Sequence, residues 1–221
     1  MKGQGRTDSL KTLIAVPCMD TVQTLFFMSM EKLRRPEGTK TGIVCSSLIY
    51  DARNRLSATA LNGRYDRVLW LDSDMVFEPD LLERLSEDLD EGREFVCALF
   101  FTRKTPIHPV IYKTLGTVTD KHGEEWPKIQ SYDDYPKDSI FPIQGCGFGA
   151  VMMTSDLIRR IGKAYGGQPF TPIPGFGEDF AFCLRARELG TELWCDSRIK
   201  VGHAGVSVIS EETWQGYKEA K

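Results

Sequence analysis

Arg67-Val68-Leu69-Trp70-Leu71-Asp72-Ser73-Asp74 decides how this sequence folds. A continuous apolar run reads as a strand buried on both faces, the kind found inside a parallel sheet. Two carboxylates at the C-terminal end of such a strand serve no packing purpose. In open α/β sheets, that end is where ligands bind. Residues two apart in extended chain point the same way, so Asp72 and Asp74 present neighbouring carboxylates. Like charges so placed raise each other's pKa unless a cation sits beside them. A hard divalent ion that also holds phosphate oxygens suits that position. A surface turn is the plainer alternative, because Asp and Ser both favour turns.

Working outward from this strand, the flanking segments alternate between strand and helix. Residues 12–16 read as a buried strand halted by Pro17. Residues 21–35 carry Val22, Leu25, Phe26, Met30 and Leu33 at a helical period, with Pro36 and Gly38 ending the helix. Residues 42–46 form a second strand, and residues 51–62 a helix with Asp51 as N-cap and Gly63 as stop. Beyond Asp74, Pro79 opens a helix bearing Leu81, Leu82, Leu85 and Leu89, closed by Gly92. Residues 94–101 give a further buried strand. This order predicts an α/β fold with a largely parallel sheet and right-handed crossovers.

The second half reads differently. Short strands are expected at 108–113, 129–132 and 141–144, with a mobile or variable loop over 116–139. A small helix (155–164), a Pro- and Gly-rich loop (166–177), a helix (179–189) and two final strands follow. The whole reads as one domain over residues 1–221, with an antiparallel, substrate-facing second half.

Composition narrows the function. With 41% hydrophobic and 27% charged residues, the 221-residue chain has the make-up of a soluble globular protein. A net charge of −3 supplies no global attraction to nucleic acid or anionic membrane, leaving only a local basic rim (Arg103, Lys104, Lys113, Lys121, Lys128). No apolar run reaches the length of a membrane span, and the polar start, Met1 to Asp8, lacks the apolar core of a signal peptide. The six cysteines show no paired spacing and read as free thiols. A cytoplasmic setting is expected.

A second constellation lies at Gly177-Glu178-Asp179, which leads into a helix. Carboxylates there cap amides and complement the helix dipole, and that use competes with a catalytic one. Arg185 and Arg187 read as solvated or ion-paired. Downstream, His203 sits between Gly202 and Ala204-Gly205 after an apolar strand, where His is either structural or a ligand for a transition-type divalent ion. Gln144-Gly145-Cys146-Gly147-Phe148-Gly149 fits close backbone approach to a ligand, or equally a sheet bulge.

Taken together, these segments resemble the GT-A fold glycosyltransferases, especially glycosyltransferase family 2 and its small phage-encoded members. The resemblance runs from Thr12 to Gly205 through five motifs in order: Ile14-Ala15-Val16-Pro17, Ala52-Arg53-Asn54, Asp72-Ser73-Asp74, Gly177-Glu178-Asp179 and His203. It implies a Rossmann-like, mostly parallel sheet flanked by helices, with a smaller antiparallel acceptor-side portion. Residues 1–103 would bind the nucleotide sugar, and residues 104–221 the acceptor. It further implies a nucleotide-diphosphate sugar as donor, with UDP as the expected nucleotide, and Mn²⁺ or Mg²⁺ as cofactor.

By the same resemblance, Asp72, Asp74 and His203 are the metal ligands, Asp72 binding either the ion or the ribose. Arg53 and Asn54 would lie against the nucleotide. Pro17 and Met19 would line the base pocket, with Asp20 and Ser73 beside it, and Gly145 and Gly147 would approach the donor sugar. Asp179 is the candidate base, with Glu178 orienting either the acceptor or Asp179. A retaining enzyme in which Asp179 only positions substrate, a nucleotidyltransferase-like enzyme and a silent binding module are the alternatives. The first strand ends in Pro17-Cys18-Met19-Asp20 rather than a Gly-rich loop with Lys, which disfavours the nucleotidyltransferase. The acceptor is left open between a protein, a glycan or lipid, and a hydroxymethylated DNA base.

Overall fold

The computed structural model describes residues 10–205. The polar stretch from Met1 to Asp8, on which the expectation about a leader rests, lies outside them. The elements are β1 (Thr12–Cys18), α1 (Thr24–Lys32), β2 (Lys40–Cys45), α2 (Ile49–Asn62), β3 (Arg67–Leu71), β4 (Met75–Val76), α3 (Leu81–Asp90), β5 (Phe95–Leu99) and β6 (Ile111–Thr119). They continue with β7 (Glu125–Ser131), β8 (Ile140–Ile143), β9 (Gly145–Cys146), β10 (Ala150–Thr154), α4 (Ser155–Ala164), α5 (Glu178–Glu188), β11 (Leu193–Lys200) and β12 (Gly202–His203).

A seven-stranded sheet in the order β2-β1-β3-β10-β5-β11-β8 forms the centre. Five strands run in one direction, and only β10 and β8 oppose them. Helices cover both faces, which explains the unbroken apolar runs of the central strands. Along β1 and β3, alternate residues serve opposite layers. Leu13, Ala15, Val68 and Trp70 pack with residues of α2, α4 and α5. Ile14, Val16, Leu69 and Leu71 pack with residues of α1 and α3. This is the GT-A, Rossmann-like arrangement expected from the sequence. A separate antiparallel sheet, β7-β6-β9, stands beside it. Among the described residues, no helix is long and apolar enough to cross a membrane.

Several local expectations need correction. Strand β10 was not anticipated. It inserts antiparallel between β3 and β5, and with β8 it breaks the uniform direction of the sheet. Residues 116–139 are not simply a loop, because most of β6 and β7 pair there as a hairpin. That hairpin is largely exposed, so burial imposes no apolar alternation that could reveal it. Helix α2 begins at Ile49, with Leu48 at the cap position, so Asp51 lies in its first turn. There Asp51 accepts a hydrogen bond from Ser46 Oγ at 3.3 Å. Helix α1 is shorter than the periodic stretch, spanning Thr24–Lys32. Arg185 is buried and Arg187 half-buried, and among the described residues neither forms an ion pair. Arg185 donates to the Pro169 carbonyl, and Arg187 to those of Leu115 and Gln144, pinning α5 to the loop before it and to β6. Gly92 (φ 92°) and Gly190 (φ 83°) adopt the left-handed backbone that ends α3 and α5.

Candidate active site

The carboxyl end of β3 is built by backbone before any side chain acts. Asp72 N–H donates to the Gly149 carbonyl (3.1 Å) and Met75 N–H to the Asp72 carbonyl (3.2 Å), so Asp72 to Met75 form a tight turn. Strand β4 then pairs with β12, setting Met75 opposite His203. Ala204 N–H closes the join on the Asp74 carbonyl at 2.8 Å. This two-residue ladder brings Asp74 and His203 together from distant parts of the chain.

The His203 tautomer follows from its partners. Nδ1 lies 2.9 Å from the Phe101 carbonyl, which can only accept, so Nδ1 carries a proton. Nε2 is left facing Asp74 Oδ2 at 3.4 Å. Two lone pairs at that distance require either a shared proton or a cation between them. Without a cation, the Asp74 hydrogen bond raises the His203 pKa, against the effect of burial. Burial pushes the Asp74 carboxyl up, but His203 and Arg103 overcome this and hold it below the usual aspartate value. A carboxylate and an imidazole whose second nitrogen is fixed by a carbonyl form a donor set suited to Mn²⁺. The residues present therefore fit a divalent cation. Among the described residues, no three acidic, His or Cys side chains are already gathered around one point. Asp72 in particular is held by a different cation.

That cation is Arg53 from α2, only 1% exposed. Its Nη2 lies 3.0 Å from Asp72 Oδ1 and 3.4 Å from Asp179 Oδ1, and its Nε lies 3.7 Å from Glu178 Oε1. The guanidinium also rests against the rings of Trp70, Phe148 and Phe170 at 5.9, 5.1 and 5.8 Å. One buried charge thus draws three carboxylates from two elements to the end of β3. Burial raises the Asp72 pKa, with Arg53 opposing. Glu178 and Asp179 occupy the first turn of α5, where the helix dipole favours negative charge. Asp179 does not cap its own helix. Its Oδ2 accepts from the Phe148 amide at 3.2 Å, while its buried Oδ1 accepts no hydrogen bond among the described residues. Desolvation pushes the Asp179 carboxyl up to about 7, reinforced by Glu178 and Asp72 and opposed by Arg53.

Two cavities meet at these groups. A polar cleft of about 400 Å³ runs between Pro17, Met19, Asp20 and Gln23 on one side and Asp72, Ser73 and Asp74 on the other, with Arg53, Glu178, Asp179 and His203 also lining it. The Gln23 amide donates to the Ser73 carbonyl at 2.9 Å and joins the two walls. A second chamber of about 510 Å³ shares Asp72, Arg103, Asp179 and His203 with the cleft, but its other walls include Phe100, Pro106, Val110, Gly147 and Phe148. Asp179 therefore faces a polar cleft and a mostly apolar chamber.

Most residues singled out from sequence converge here, with two departures. The Asn54 side chain turns away and accepts from the Phe170 amide at 2.9 Å, fixing the loop between α4 and α5. Gly145 pairs with Tyr112 beneath the hairpin, away from the cleft, whereas Gly147 lines the apolar chamber. Arg103, placed in the basic rim from the sequence, forms an ion pair with Asp74 and lines both cavities. Its position directly after a buried strand was the available signal. Phe100, Val110 and Phe148 carried no functional signal, because apolar residues read as core.

No protein-family model matches the sequence, and no curated protein matches it. Among solved structures, the chain is similar to A197 from STIV, with a TM-score of 0.64 and 17% identity over 89% of this chain and 87% of that one. It is also similar to GalNAc-T7, solved with UDP, GalNAc and Mn²⁺, with a TM-score of 0.57 and 12% identity over 94% of this chain. There the match spans about half of the other chain, 47% of its length. At these identities the likeness is one of fold.

Proposed function

We propose that this chain is a metal-dependent glycosyltransferase of the family 2 type, moving a sugar from a UDP-sugar donor to an acceptor hydroxyl. The observation that carries this reading is the single buried Arg53 holding Asp72, Asp179 and Glu178 beside the Asp74–His203 pair, between a polar cleft and an apolar chamber. The fold likeness to a protein solved with UDP and Mn²⁺ supports the choice of donor and ion.

In this reading the polar cleft takes the donor. Pro17, Met19 and Asp20 line the base end, and Ser73 and Asp72 lie nearer the diphosphate. Asp74 and His203 would hold the Mn²⁺ or Mg²⁺, with Asp72 beside them. When bound, the ion offsets negative charge developing on the departing diphosphate. The acceptor enters from the chamber, where Gly147 leaves open the approach to Asp179. Asp179, whose Oδ2 lies on the Gly147 side while Oδ1 faces Arg53, accepts the acceptor's proton. A base with a pKa of about 7 is well matched to neutral conditions. Arg53 and the Phe148 amide hold Asp179 in place, and Glu178 orients the pair through Arg53.

Calorimetric titration of UDP with and without Mn²⁺ tests this reading. UDP binding is expected to strengthen with Mn²⁺, and Asp74→Ala to remove that gain. Binding indifferent to the ion in the unaltered chain would overturn the metal-bridged site.

A further inference from the structure

At the lip of the polar cleft, β1 and β2 end on paired cysteines. Cys18 and Cys45 are register partners of the parallel β1–β2 ladder, so their side chains leave the sheet on the same face. Their sulfurs lie 3.4 Å apart. Neighbouring strands are spaced about 4.8 Å apart, inside the roughly 4.4–6.8 Å Cα separation that disulfides span. The bond length of about 2.05 Å requires the sulfurs to close by about 1.4 Å. β2 is an edge strand, paired only with β1 in the main sheet, so it can take up that movement without repacking the core.

Access divides the chain's cysteines sharply. Cys45 is exposed and Cys18 is buried behind it, while Cys97, Cys146, Cys183 and Cys195 are each 0% exposed. We propose that Cys18 and Cys45 form a reversible thiol–disulfide modification site, with a small-molecule disulfide such as glutathione disulfide as the oxidant. The exposed Cys45 thiolate attacks the oxidant's S–S bond, forming a mixed disulfide and releasing one glutathione thiolate. The Cys18 thiol gives up its proton and attacks the Cys45 sulfur, releasing the second glutathione. Two protons and two electrons leave the pair, and the oxidant is reduced to two thiols. Cys18 also belongs to the wall of the polar cleft, so the cross-link is made at the cleft's own edge. The site stands on this geometry whether or not the cleft takes a nucleotide sugar.

The test equilibrates the full chain in glutathione buffers of increasing oxidised fraction, traps free thiols by alkylation and maps the peptides. One linked peptide joining Cys18 to Cys45 is expected, with the four core cysteines alkylated only after denaturation. The oxidised chain should melt at a higher temperature than the reduced chain, and dithiothreitol should reverse both changes. Cys45→Ser, at an exposed position, should fold normally and lose both the linked peptide and the redox-dependent melting shift. Cys18 and Cys45 remaining separately alkylated in the most oxidising buffer would overturn the proposal. So would the same melting shift in Cys45→Ser.

Discussion

Arg53 Nη2 lies 3.0 Å from Asp72 Oδ1, and this pair ties the second helix of the chain to the end of its central strand. The arginine side chain is 2% exposed and the aspartate 32%, so a buried cation meets a carboxylate still in contact with water. Such an arrangement is costly to break from the cationic side, because the carboxylates around it lose their counter-charge while remaining crowded together.

Arg53→Met keeps the apolar stem against Trp70, Phe148 and Phe170 but removes the charge. Denaturant unfolding at pH 7 should show a loss of roughly 3 kcal/mol, at the low end for a broken buried pair because Asp72 and Asp179 retain some solvent. The sign with pH is fixed. Without Arg53, the crowded carboxylates favour their protonated forms in the folded state, so the deficit should shrink as pH falls toward 5. An equal deficit at both pH values would mean that Arg53 acts by packing alone.

Asp179→Asn preserves shape, and its side-chain oxygen can still accept from the Phe148 amide. Donor binding measured by UDP titration should therefore survive. Transfer should fall by about a hundredfold or more, the usual contribution of a positioned base. Near-normal turnover would exclude Asp179 as the base.

Central strands and their carboxylates were legible in the sequence because burial on two faces leaves an unbroken apolar run, and charge at its end has no packing explanation. His203 was legible as a candidate, but the short ladder that sets it beside Asp74 was not, since a two-residue pairing leaves no periodic trace. Arg53 matched a motif whose resemblance implied contact with the nucleotide. Its burial beneath three carboxylates depends on Trp70, Phe148 and Phe170 meeting in three dimensions. The β6–β7 hairpin was missed because exposed strands need no apolar alternation. Asn54 was misjudged for a related reason: a polar residue one position from Arg53 on a helix points some 100° away, here toward the Phe170 loop.

Gly147→Ala tests the route to Asp179. A Cβ at this position would sit 2.7 Å from Val110 Cγ1, 3.3 Å from Phe100 Cζ and 3.7 Å from Asp179 Oδ2. The added methyl crowds the chamber wall without facing the polar cleft, and overpacking of this kind costs about 1–3 kcal/mol. UDP affinity should be unchanged, whereas steady-state transfer should show weaker acceptor use. If UDP affinity falls and acceptor use does not, the two cavities have been assigned to the wrong substrates.

Far from the cleft, Asp88 on α3 and Asp196 on β11 are both buried and share Arg198. Arg198 binds Asp196 Oδ1 at 2.8 Å and Asp88 Oδ1 at 3.1 Å, leaving Asp88 Oδ2 unpartnered among the described residues. Burial pushes the Asp88 carboxyl up to about 7, the neighbouring Asp196 adds to the rise, and Arg198 opposes it. A carboxyl raised in the folded state holds its proton where the unfolded chain releases it. The associated stability is therefore complete below about pH 4 and lost as pH climbs through about 7. A rise of this size caps the loss at roughly 4 kcal/mol, with the shared Arg198 reducing it. Asp88→Asn keeps a neutral group at every pH and should flatten that decline. Unfolding midpoints in denaturant at pH 5 and pH 8 check this: the wild-type chain should be less stable at pH 8, and the variant should lose distinctly less, its remaining decline coming from Asp179, whose carboxyl is also pushed up to about 7. Matching pH slopes for the two proteins would show that Asp88 is already ionised in the fold.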